Sequence, residues 1–78
     1  MIVEVSWKIP ESIPTVLGQP HSGLIYYEVE TTPAKDTVVA HLQRFIRHLD
    51  PFSVRIEKSA LTADDLMSRG MAFYRNAL

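Results

Sequence analysis

The sequence predicts a small single-domain α+β fold of order β-β-α-β-α, with a three-stranded sheet and two helices packed mainly on one face. Three observations carry this. Segments 1–9, 24–30 and 52–58 alternate apolar and polar residues with the period of a half-buried strand. Two further segments, one from 33 to 49 and one from 63 to 78, place apolar residues at three- and four-residue spacing, as an amphipathic helix does. The chain has 78 residues, 46% of them hydrophobic, which suffices for one core and no second domain.

The first strand is read from MIVEVSWKI. Met1, Val3, Val5, Trp7 and Ile9 share one face, and Ile2, Glu4, Ser6 and Lys8 the other; Pro10 ends it. Residues 10–23, PESIPTVLGQPHSG, hold three of the five prolines and two of the three glycines. No regular period survives such punctuation, so this is a long loop, anchored by Ile13, Val16 and Leu17. The second strand, LIYYEVE, sets Ile25, Tyr27 and Val29 inward and Leu24, Tyr26, Glu28 and Glu30 outward.

Thr32 then offers an N-cap and Pro33 a first helical position. Val38, Val39, Leu42, Phe45, Ile46 and Leu49 form one stripe, and Asp50-Pro51 stops the helix. In the third strand Phe52, Val54 and Ile56 face inward. A strand after a helix after a strand invites a crossover that runs strands two and three in the same direction. The last helix starts at Thr62, with Asp65 three residues later as a capping-box partner.

Several function classes are set aside by composition. The absence of cysteine removes disulfides, thiolate catalysis and sulfur-ligated zinc, and is compatible with a cytoplasmic location. The opening residues carry Glu4 and lack the basic stretch of a secretion signal. His41 and His48 are seven residues apart, two helical turns rather than one, and nothing requires His21 to join them, so no metal is expected. No nucleophile elbow, phosphate loop or dinucleotide motif occurs, and Asp64 and Asp65 are adjacent rather than facing. Neither an enzyme nor a bound cofactor is expected.

A domain this small usually needs a disulfide, a metal or a partner as a staple. The last helix supplies a reason to choose the partner. Ala63, Leu66, Met67, Gly70, Met71, Phe73, Tyr74, Ala77 and Leu78 would cover an arc of roughly 160°, wider than the ~100° stripe of an ordinary surface helix. Gly70 inside that arc suggests a close backbone approach. Leu24 and Tyr26 on the outer face of strand two extend the apolar surface. The expected function is therefore a non-enzymatic protein–protein interaction module, a small regulator, inhibitor or adaptor. Its contact residues would be Leu24, Tyr26, Met67, Gly70, Met71, Tyr74 and Leu78. Its partner would be a second copy in a homodimer or a larger target protein.

The alternative is nucleic-acid binding through Arg44, Arg47 and His48 on the first helix with Arg55 and Lys58 on the third strand. Residues 40–78 hold six basic and four acidic residues, and the whole chain has a formal charge of -1, so a solvated helix face explains these residues better. No membrane partner is expected, because no apolar run approaches the ~20 residues of a span.

Overall fold

A computed structural model describes residues 1–78. It has six regular elements: β1 (Ile2–Lys8), β2 (Ser22–Glu28), α1 (Lys35–Leu42), β3 (Arg55–Lys58), α2 (Ala63–Ser68) and β4 (Tyr74–Arg75), with one 3-10 turn at Pro51–Ser53. The fold is α+β with a mixed sheet. The sheet has four strands rather than three, in the order β3-β1-β2-β4.

β1 lies at the centre, antiparallel to both neighbours. It pairs with β2 from Ile2↔Glu28 to Lys8↔Ser22, and with β3 from Val3↔Lys58 to Ser6↔Arg55. β2 and β3 therefore run in the same direction, as the crossover requires, with β1 between them. β4 adds to the other side of β2 in parallel, at Tyr27↔Tyr74 and Glu28↔Arg75.

The alternation of β1 sets the main core. Val3, Val5, Trp7 and Ile9 are buried with Tyr27, Val38, Leu42, Ile46, Leu49 and Val54, and Ile13, Ile25, Val29 and Val39 pack around them. Gly23 stands opposite Trp7 in the ladder. A Cβ there would lie 2.7 Å from the indole Cζ2, so only glycine lets the ring lie across the neighbouring strand.

Ile2 and Leu66 are also buried, yet neither belongs to that core. Ile2 projects from the face opposite Val3. α2 therefore lies over the Ile2 end of the second face, with Leu24 left exposed further along it, and Arg69 at the helix end stands near enough to act on the Tyr26 phenol. The expectation of two helices on one face is corrected here. β1 is apolar at Ile2 as well as at the odd positions because both of its faces are covered at that end.

The first helix is shorter than the stripe suggests. It begins after Ala34, with no side-chain cap from Thr32, and ends at Leu42. Tighter i→i+3 bonds follow, from Arg44 N–H to His41 C=O and from Phe45 N–H to Leu42 C=O. A helix continued to Leu49 would carry the chain about 10 Å further along its axis. Instead the Asp50 N–H bonds the Lys8 C=O at 2.9 Å, which seats the next segment beside β1. Ile46 and Leu49 still reach the core, but Phe45 is 47% exposed.

The third strand is also shorter. Asp50 caps a 3-10 turn by accepting the Phe52 N–H, and Phe52 on that turn is 89% exposed rather than inward. β3 proper starts at Arg55.

The last helix differs most. Its start is as the sequence implies: Thr62 accepts from the Asp65 N–H, and Asp65 accepts from the Thr62 N–H. These bonds, from the Thr62 backbone first, hold the Asp65 carboxyl below its ordinary value. The helix ends at Ser68, however. Gly70 has φ +68, its N–H bonds Met67 C=O, and the Met71 N–H bonds Leu66 C=O. That pair of bonds is a Schellman motif with glycine at the left-handed position. Gly70 meets nothing within 4 Å, so it serves the turn and not a close approach. The reversal sends the chain back to the sheet as β4, and no continuous helical arc over 63–78 exists.

Candidate interaction surface

β4 is held to β2 through side chains as well as the ladder. Tyr74 stacks on its register partner Tyr27, with centroids 5.3 Å apart and an interplanar angle of 25°. From α1, His41 reaches both rings and Phe45 edge-on, at 5.4 Å from Tyr27, 5.0 Å from Tyr74 and 5.4 Å from Phe45. Arg75 pairs with Glu28 and also stands 5.5 Å over the Phe73 ring. Ala77 turns back onto the core after Asn76, which is left-handed at φ 56.

The Tyr27 hydroxyl and His41 Nδ1 are 2.7 Å apart. With the imidazole proton on Nε2, the phenol donates to Nδ1. Burial and then the nearby Tyr74 push the Tyr27 phenol up to about 12, so it stays protonated. Burial and then Arg44 hold His41 below its ordinary value, so it stays neutral and able to accept. The pair is a locked hydrogen bond in an aromatic cluster. It joins α1, β2 and β4 as a clasp.

Outside the clasp lies an apolar groove lined by Leu24, Ile25, Ala72, Phe73 and Tyr74. It sits where β4 has not yet joined β2. Leu24 is 56% exposed there and Tyr74 40%. Tyr26 shares Leu24's face, across the ladder from Glu4. Burial, and then the Glu4 carboxylate, raise its phenol above the ordinary value. The loop does not cover these residues, and of its three expected anchors only Ile13 packs on the core, Val16 and Leu17 being 72% and 104% exposed. His21 Nε2 donates to Ile13 C=O at 2.9 Å, and the 14–19 segment lines a depression with Arg47 and His48.

The contact residues named from sequence are thus divided. Leu24 and Tyr74 meet in one groove, and Tyr26 adjoins it on the outer face. Met67 and Met71 are exposed on α2 and just past it. Gly70 belongs to the turn. Leu78 lies elsewhere, beside Thr37, Ala40, His41 and Arg44 on the α1 side. Ala72 and Phe73 were missed as groove walls, because the helical reading put their backbone in the wrong place. His41 and Phe45 were missed as parts of the clasp, since only the fold brings them to Tyr74.

The basic residues do not form one surface. Arg44 neighbours His41 on the β2–β4 side. Arg47 and His48 face the 14–19 loop, with His48 in a left-handed turn at φ 63. Arg55 pairs with Ser6 and Lys58 with Val3, so these two project from opposite faces of the far strand. No three His, Cys, Asp or Glu side chains converge as a metal site would need. No helix is long and apolar enough to cross a membrane. No family model, curated protein or solved structure matches the chain.

Proposed function

We propose that this chain is a protein-binding module that works by contact. The supporting surface is the open edge of β2 beside the segment that follows α2, where Leu24 and Tyr74 line one groove; Tyr26 adjoins it on the outer face, and Met67 and Met71 are exposed on α2 and just past it. The observation that carries the reading is the groove between Leu24 and Phe73, whose five lining residues are all hydrophobic. Exposed apolar surface of this kind, beside polar residues such as Glu4 and Arg69, marks interaction sites more often than chance exposure does. Leu24 is exposed on a paired strand, so its backbone is already ordered and only its side chain loses freedom on binding.

A photo-crosslinking residue at position 24, compared with one at Glu57 on the opposite sheet edge, tests this in cells of the native source. The expected result is a discrete heavier adduct from position 24 and none from position 57. Met71→Lys should reduce that adduct while the protein stays folded. Equal adducts from both positions, or none from position 24, would sink the reading. Sedimentation of the purified protein separates the two partner types, since a homodimer doubles the mass with rising concentration.

A further inference from the structure

The sheet has two outer edges, and they differ chemically. Resting on the protein-binding reading above, that difference names how the surface is engaged. The β3 edge carries Arg55, Glu57 and Lys58 within its four residues. Charges at that density discourage strand addition. The β2 edge carries Ser22, Gly23, Leu24, Ile25 and Tyr26, with no charge, before β4 begins.

The hydrogen-bond phase of β2 shows which groups are free. Ile9 N–H bonds His21 C=O, and Val29 N–H bonds Met1 C=O. Odd-numbered residues of this strand therefore pair with β1, because narrow and wide pairs alternate in an antiparallel ladder. The N–H groups of Leu24 and Tyr26 and the C=O groups of Ser22 and Leu24 point out of the sheet. No backbone hydrogen bond joins residues 71–73 to β2. That segment stands off instead and forms the far wall of the groove.

We propose that the open edge of β2 takes an extended, uncharged, apolar segment of another protein as an added strand in line with β4. Outward backbone groups spaced at every second residue fit a strand, and neither a helix nor a flat surface would satisfy them. The neutral groove excludes charged side chains from the segment's centre. A second copy does not fit. Two-fold pairing of β2 about Leu24 would set Pro20 and His21 of the copy against Tyr27 and Glu28, where β4 already lies. A five-residue edge is also far smaller than the ~800 Å² per partner of a standard interface between folded proteins.

Amide exchange measured by NMR on the whole chain tests this. In the free protein the Leu24 and Tyr26 amides should exchange fast and the Ile25 and Tyr27 amides slowly. Slow Leu24 exchange in dilute free protein would mean the edge is not open, and would overturn the proposal. The probe is a blocked peptide of five β-branched apolar residues flanked by lysines, added at about 1 mM, which half-fills a millimolar site. Protection should appear at Leu24 and Tyr26 and grow about tenfold at ten times the dissociation constant. The same peptide N-methylated at alternate residues should give none.

Leu24→Pro removes the outward N–H and should abolish protection at Tyr26. Leu24→Lys keeps the N–H, tests the groove's neutrality, and should weaken binding if the proline variant misfolds. No protection at about 1 mM, equal effects of the N-methylated peptide, or effects centred on Ile56 and Lys58 would each overturn strand addition. Protection that rises with protein concentration alone would replace it with self-pairing. A discrete adduct at position 24 without peptide protection would leave the binding module standing and remove only the strand mode.

Discussion

At the scale of single residues, the clasp around His41 makes a claim about pH. Its imidazole titrates below the ordinary value of 6.5 because burial and Arg44 disfavour the charged ring. Between the lowered folded value and the unfolded one, the unfolded chain binds more protons. His41 therefore contributes stability that is fully present above about pH 6.5 and is lost as pH falls through its folded value. Urea midpoints of the wild type should fall between about pH 7.5 and about pH 5.5, and His41→Gln should flatten that part of the curve. Equal slopes in the two proteins would show that His41 titrates as it does in the unfolded chain. Little of this was legible in sequence. The alternation gave Tyr27 its inward face and the helical stripe gave Leu42 its burial, but no local pattern joins residues 27, 41, 45 and 74. Phe45 shows the limit most clearly. Its stripe position implies a core loss of ~3–5 kcal/mol on truncation, whereas at 47% exposure the Ala variant should lose only a fraction of that.

At the scale of elements, the starts were more legible than the ends. The Thr62–Asp65 pair marks a helix start through a purely local bond pattern, and it forms as expected. The ends depend on where the chain must go next. α1 stops seven residues early because Asp50 is drawn to Lys8. α2 stops because Gly70 takes a left-handed conformation that L side chains resist. The signal for the second stop is in the sequence, since glycine after Arg69 is a helix-end pattern, but the apolar periodicity continues past it and mimics a longer helix. Substitution at Gly70 separates the two accounts by sign. In a helix interior, Gly→Ala stabilises by about 1 kcal/mol. At φ +68, Gly70→Ala should destabilise by about 1 kcal/mol, despite the open space around it. A thermal or urea melt of the variant decides between them, and a raised midpoint would restore the long helix.

At the scale of the whole molecule, the sheet works on both faces. The strand alternation disclosed the main core face, with Val3, Val5, Trp7 and Ile9 buried on it. It could not disclose the second, because a strand with Glu4, Ser6 and Lys8 on its outer side reads as half-solvated. Ile2 was the one residue out of phase, and α2 is what covers that end. Nor could it disclose strand order, since β4 is two residues long and its pairing with Tyr27 spans most of the chain. The two-faced arrangement has an energetic consequence. Leu66 is buried on the α2 side and lies outside the cluster that holds Val38. Leu66→Ala should cost ~2–5 kcal/mol from lost transfer energy and the cavity left behind. Val38→Ala removes two methyl groups and should cost about 2 kcal/mol. Because Leu66 lies outside the cluster that holds Val38, their effects should add to within ~0.5 kcal/mol in the double variant. A pair such as Val38 and Leu42 inside one core should instead couple. If Leu66→Ala and Val38→Ala also couple by about 1 kcal/mol or more, the helices share a core and the second face is open to solvent. The surface from Tyr26 to Met67 would then be larger than the groove alone, and a broad partner would replace a single added strand.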